Sequence, residues 1–183
     1  MATAVVILSP GFEEIEAVTI IDILRRGGVE VTVAGLEEGL IKGSHGIPIK
    51  ADVYYRNIEG SSFDMLILPG GQPGTENLKK DAHLLKWVEE CFRHNGKIAA
   101  ICAAPTVLQK AGVAKGLKIT SYPTEKLNFT DSDYREESVV KDGNIITSRG
   151  VGTAIEFSLA LVSELCGVEK ANEVKEKILF HSR

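Results

Sequence analysis

The sequence predicts an α/β fold: a doubly wound, mostly parallel sheet with helices on both faces and a small antiparallel hairpin. Three observations carry the prediction. Apolar segments of strand length recur at residues 5–8, 29–34, 65–68 and 97–101, which suits strands of a sheet covered by helices. Stretches of helical period separate most of them. The first, third and fourth runs end in sharp turn signals, Ser9-Pro10-Gly11, Pro69-Gly70-Gly71 and Cys102-Ala103, and in such folds sites gather outside the carboxyl ends of the strands.

In chain order, residues 5–8 are the first strand. Residues 13–26 have helical period, acids in the first turn, bases in the last and Gly27-Gly28 as a stop. Residues 29–34 follow as a second strand, so the crossover is right-handed and the pairing parallel. Between residues 39 and 55 short β-prone pieces with Gly43, Gly46 and Pro48 read as an antiparallel ribbon. Residues 65–68 are the third core strand, 72–77 a loop, 81–95 a helix with the only tryptophan, and 97–101 the fourth core strand. Residues 116–120 and 139–140 and 145–147 read as further strands, the last two joined through Asp142-Gly143-Asn144. Helices over 153–166 and 169–179, parted by Gly167, close the chain.

Length and composition agree with a single domain over residues 1–183. Apolar residues make up 44% and charged residues 25%, which excludes a disordered chain or a membrane protein. A net charge of −4 disfavours a nucleic-acid partner. Cys91, Cys102 and Cys166 have no C-x-x-C spacing, so a reducing, cytoplasmic location is expected. The N-terminal apolar run lacks a basic flank and is too short to span a bilayer, so no processing and no membrane association are expected.

Chemistry centres on Cys102. Strand, sharp turn and a helix carrying Pro105 in its first turn place the thiol at a sheet edge and a helix start, where a thiolate is expected. Glu16 is the first partner. At about 100° per residue it falls on the helix face that also holds Ala17, Ile20, Ile23 and Leu24, where a carboxyl is costly to ionise. A raised pKa suits it to exchange protons with a bound substrate. Glu13 and Glu14 read as complements to the helix dipole. Amides at Gly70 or Gly71, with that of Ala103, are candidates for an oxyanion hole.

His45 lies in a glycine-rich loop, His83 and His94 on an exposed helix and His181 near the end. Of these only His45 is kept as an accessory candidate. Arg149, after the strand at 145–147, is a candidate for holding an anion. No metal-ligand spacing is present, so no metal is expected, and without a Gly-x-Gly-x-x-Gly or P-loop the usual nucleotide readings of an α/β fold fall away. Ile15 and Val18 form a second apolar stripe on the first helix, opposite the core-facing one, and predict a homodimer through that helix.

The stretches PGFEEIEAV, FDMLILPGGQPG, AAICAAPTVL and TSRGVGTAIEF, in this order and spacing, closely resemble the ThiJ/PfpI superfamily, in the branch of the Parkinson-disease protein deglycase. The resemblance covers essentially the whole chain. It implies a flavodoxin-like homodimer without cofactor, with Cys102 as nucleophile and oxidation-sensitive thiol and Glu16 as its protonated partner. Gly70, Gly71 and Ala103 match the turns whose amides line the pocket. The implied activities are cofactor-independent glyoxalase and deglycase chemistry on methylglyoxal, glyoxal and their early adducts on protein side chains. The alternative is a redox sensor or chaperone acting through oxidation of Cys102 to sulfinate.

Departures from the branch are also legible. Tyr122 stands before Pro123 where the branch carries a pocket histidine, which moves proton transfer to Glu16 or water. Gly43 and Lys50 replace accessory cysteines. His45 stands where an arginine of the neighbouring subunit would approach the pocket. Ala103 replaces the histidine that follows the nucleophile in protease-like members, and a late His-x-Glu of glutaminases is absent.

Overall fold

The computed structural model describes residues 1–181. Its centre is a seven-stranded sheet built from β1 (Thr3–Leu8), β2 (Glu30–Gly35), β5 (Val53–Tyr54), β6 (Met65–Leu68), β7 (Lys97–Ile101), β10 (Val139–Asp142) and β11 (Ile145–Ser148). Its order is β10-β11-β7-β6-β1-β2-β5. All neighbours are parallel except β10 and β11, which pair antiparallel across the tight turn at Gly143. Strand alternation sorts the core into two layers. Ala4, Val6 and Leu8 of β1, with Met65 and Ile67 of β6, face one apolar cluster, while Val5, Ile7, Leu66 and Leu68 face the other.

Helices α1 (Glu14–Arg26), α5 (Ala154–Cys166) and α6 (Val168–Lys177) cover the first face. Helices α2 (Gly74–Lys80), α3 (Ala82–Arg93) and α4 (Pro105–Lys110) cover the second. Asp81 caps α3, its Oδ1 accepting from the amides of His83 at 3.0 Å and Leu84 at 3.1 Å. Among the described residues no helix is long and apolar enough to cross a membrane.

The doubly wound expectation therefore holds, and three local readings change. The ribbon is shorter than expected: β3 (Leu40–Lys42) and β4 (Pro48–Lys50) form the antiparallel hairpin. Val53 and Tyr54 leave it to pair parallel with β2, because Asp52 bonds both the amide and the carbonyl of Val33. The segment read as a loop at 72–77 enters a helix, α2. Its one deeply buried aliphatic side chain is Leu78, so no apolar period announces it. The strand expected at 116–120 shrinks to β8 (Lys118–Ile119), which pairs with β9 (Asp133–Tyr134) outside the main sheet.

Going outward from β1, the chain winds first to β2 and then, on the other side, to β6 and β7. The crevice at this reversal lies beyond the ends of β1, β6 and β7, the position where doubly wound folds bind ligands. Backbone bonds tie the converging turns together: Glu13 N–H to Gly70 O at 2.9 Å, Gly74 N–H to Gly11 O at 3.2 Å and Cys102 N–H to Ser148 O at 3.0 Å.

Candidate active site

Cys102 follows the last residue of β7 and has a φ of +64°. A non-glycine residue in this region carries strain of about 1–3 kcal/mol and persists only where its surroundings hold it. Here the hold is visible. Its N–H donates to Ser148 O, and its carbonyl accepts from Tyr122 N–H at 2.7 Å. The resulting bend turns Sγ off the sheet edge towards α1, leaving the residue half-buried.

Glu16 reaches the same point from the first turn of α1 and is fully buried. Its Oε2 accepts from Gly70 N–H at 2.9 Å, and among the described residues Oε1 has no hydrogen-bond partner of ordinary geometry. The thiol of Cys102 is the side-chain group beside it. Burial pushes the Glu16 carboxyl up to about 7, against the Gly70 amide and Cys102, with the Glu13 charge adding to the rise. The expected rise is thus met. Gly70 has no room for a side chain: a Cβ there would stand 2.6 Å from Cys102 Cβ and 2.9 Å from Glu16 Oε2.

The expected resting thiolate is not met. Burial, then the neighbouring Glu16 charge, pushes the Cys102 thiol up to about 12, and the amides of Ala103 and Gly71 pull it only partly back. The helix start contributes little, for a structural reason. Pro105 opens α4 without an N–H, and the Ala104 amide is spent on Ile101 O. The two acids are coupled: a proton taken up by Glu16 removes a charge that holds the proton on sulfur. What the arrangement offers is a thiol whose proton has a buried carboxylate to go to.

The oxyanion candidates separate. Gly71 and Ala103 present their amides to Sγ, whereas the Gly70 amide is committed to Glu16 and positions the carboxyl instead. Tyr122 stands at the mouth, with its ring near Gly150. Arg149 is turned away, donating from Nη1 to Glu136 O at 2.8 Å, so the anion-holding role is not supported by its position.

His45 is likewise directed elsewhere. Its ring Nδ1 lies 2.9 Å from Glu14 Oε2 and its side chain is 71% exposed. Glu14, read from sequence as a dipole partner, is buried and gathers the 44–47 loop. Its oxygens accept from the amides of His45 at 2.6 Å and Ile47 at 3.3 Å and from Ser44 Oγ at 3.2 Å, besides the ring. Burial alone would raise this carboxyl, but those bonds bring it down to about 2. Glu13 caps the helix, its Oε2 accepting from Glu16 N–H at 2.7 Å. Glu13, Glu14 and His45 offer ligand atoms within 4.8 Å of one another, but both Glu14 oxygens already serve the loop. No local sequence signal marks this role of Glu14, because its partners lie about thirty residues further along the chain.

Comparison with known proteins bears on the family and the fold. The DJ-1/PfpI family model matches residues 2–164. The chain belongs to the DJ-1/PfpI family. The dj-1beta protein of Drosophila melanogaster is 44% identical over 180 residues, covering 97% of this chain and 96% of that one. The glutathione-independent glyoxalase DJR-1.2 of Caenorhabditis elegans is 36% identical over 175 residues, covering 94% and 93%. Among solved structures, Drosophila melanogaster DJ-1beta superposes with a TM-score of 0.96 at 43% identity over 99% of both chains. An oxidized Toxoplasma gondii DJ-1 gives 0.96 at 36% identity over 100% of both. This DJ-1/PfpI chain has the flavodoxin-like sheet of those relatives.

Proposed function

We propose that the protein is a cofactor-independent glyoxalase and deglycase of the cytoplasm, acting on methylglyoxal, glyoxal and their early adducts on protein amines and thiols. The observation that carries this reading is the buried Glu16 carboxyl, near neutral in pKa, beside the half-buried Cys102 thiol. The glyoxalase activity named for the Caenorhabditis elegans relative supports it.

The chemistry follows from the positions. The Cys102 sulfur attacks the aldehyde carbon, its proton passes to ionised Glu16, and the C=O electron pair becomes an alkoxide facing the Gly71 and Ala103 amides. Protonated Glu16 gives that proton to the alkoxide, which yields the hemithioacetal and restores the carboxylate. Glu16 then removes the proton on the attacked carbon to give an enediolate and returns it to the adjacent carbon, while the hemithioacetal hydroxyl gives its proton to the oxygen of that adjacent carbon, leaving a 2-hydroxy thioester. Water cleaves the thioester, releasing lactate from methylglyoxal or glycolate from glyoxal and restoring the thiol. The internal transfer oxidises one carbon as it reduces the other, so no external redox partner enters. Conversion of methylglyoxal to lactate in metal-free buffer by wild type and Cys102→Ser tests the reading. Turnover is expected only in wild type, and full activity in the variant would refute it.

A second reading is a redox sensor or chaperone in which Cys102 is oxidised to sulfinate. The unpartnered Oε1 of Glu16 favours it, because a protonated carboxyl there can donate to an oxidised sulfur. Selective sulfinate formation under graded peroxide, with negligible dicarbonyl turnover, would favour this role.

We also propose a homodimer through α1. Ile15 is 55% and Val18 50% exposed on that helix, and Val18 and Ile155 line a groove of about 490 Å³ between α1 and α5. Sedimentation showing only monomer at micromolar concentration would remove this proposal.

A further inference from the structure

We propose that Gly150 and the Tyr122 ring form the size filter of the Cys102 pocket: the carbon-sized space beside Gly150 receives the end of the substrate beyond the attacked carbonyl, and it admits hydrogen or methyl but not an aryl group. The inference rests on the dicarbonyl reading and names which substrates that site takes.

Gly150 is buried just past the end of β11, the strand beside the one that carries Cys102. A Cβ built on it would meet Tyr122 Cδ2 at 3.4 Å, Cys102 Sγ at 3.8 Å and Glu16 Oε1 at 3.9 Å, with nothing nearer. These are ordinary van der Waals separations, so the space holds one carbon of a ligand, while a φ of +159° puts backbone strain on any side chain at residue 150 itself. A carbon held there touches the nucleophile and the proton carrier at once, which places it within a bond or two of the atom under attack. Any side chain at residue 150 occupies that volume.

The backbone on both sides of this space is fixed. The Gly150 N–H donates to Thr153 Oγ1 at 3.1 Å, and its carbonyl accepts from that hydroxyl and from the Thr153 amide, each at 2.9 Å. The Tyr122 backbone is pinned to the Cys102 carbonyl. Its ring is 47% exposed, and its phenol bonds to no described residue. The ring therefore acts through its bulk, as a wall between the Gly150 space and solvent.

The test compares kcat/KM for glyoxal, methylglyoxal and phenylglyoxal in the full-length wild type, Gly150→Ala and Tyr122→Ala. Site-resolved alkylation rates of Cys102 with iodoacetamide and N-phenylmaleimide are followed by mass spectrometry in the same proteins. A methylene in a tight apolar pocket is worth about 10–200-fold. Gly150→Ala is therefore expected to lower methylglyoxal relative to glyoxal by at least about tenfold and to slow the maleimide more than iodoacetamide. Tyr122→Ala is expected to raise phenylglyoxal relative to methylglyoxal by a similar factor and to speed the maleimide. Equal losses on all three dicarbonyls, with unchanged alkylation ratios, would overturn the filter. If wild type turns over none of the dicarbonyls, the enzymatic reading fails, and the alkylation ratios still decide the filter. Should Gly150→Ala not fold, Tyr122→Ala decides alone, because it removes a wall at the mouth.

Discussion

Glu14 and Glu16 sit two residues apart in the first turn of one helix, both buried, and their acidities move in opposite directions. Glu14 is held down at about 2 and Glu16 is pushed up to about 7. Depth of burial and the number of donors together account for the difference, Glu16 lying deeper and holding fewer bonds. Glu14 accepts from two amides, a hydroxyl and an imidazole, whereas Glu16 accepts from one amide and leaves Oε1 facing the thiol. Helix position and burial alone do not make a proton carrier. Withholding hydrogen bonds from a buried carboxyl does.

The sharpest way to break the comparison is to remove the ionisable group from the under-bonded site. Glu16→Gln keeps the shape and an acceptor for the Gly70 amide but cannot take the thiol proton. A general base of this kind contributes about 10²–10⁴-fold, so kcat/KM for methylglyoxal is expected to fall by that factor. In wild type the profile should rise with pH through about 7, as Glu16 ionises. Stopped-flow or endpoint lactate measurements from pH 5 to 9 check both statements. A rising limb that survives in Glu16→Gln would assign the base to another group.

The same substitution has a smaller and opposite effect on stability. The folded pKa of Glu16 is raised above its ordinary value of 4.5. Its favourable contribution is therefore fully present below about pH 4.5 and is lost as pH rises through about 7. Gln carries no such penalty. Relative to wild type, Glu16→Gln should gain stability on the order of 3 kcal/mol between pH 4.5 and pH 8. Urea unfolding at the two pH values reads this directly, and a difference independent of pH would show that the carboxyl is not strained in its ionised form.

The contrast between these two residues also marks how far the sequence could be read. Glu16 was legible because its helical azimuth is that of Ile20 and Ile23, so burial, and from burial a raised pKa, followed from the 3.6 period. The strands at 5–8, 65–68 and 97–101 were legible because both sheet faces are covered, which leaves uninterrupted apolar runs. Glu14 was not legible, since its partners come from a loop about thirty residues away whose docking no local pattern encodes. The thiol was read as ionised from the helix that follows it, and that reading counted Pro105 as a helix start without weighing its missing N–H or the Ala104 N–H spent on Ile101 O. Helix α2 stayed hidden for a related reason: Gly74 opens it because a Cβ there would strike the Gly11 backbone at 2.8 Å, a tertiary constraint rather than a propensity.

The mildest perturbation acts on the saturated carboxyl. Glu14→Gln replaces one oxygen by an NH2 group that faces donors, so about 1–3 kcal/mol of stability is expected to be lost at neutral pH. Wild type should approach the variant only as pH falls from 4.5 through about 2, because a depressed carboxyl contributes its stability above its ordinary pKa. The bond to Glu14 raises the His45 pKa, so an NMR titration should show the imidazole returning towards its ordinary value in the variant. The kinetic limb near pH 7 should stay in place, since the charge that adds to the Glu16 shift comes from Glu13. If Glu14→Gln moved that limb as far as it moved His45, the two carboxyls would form one electrostatic unit, and the separation of a loop anchor from a proton carrier would fail.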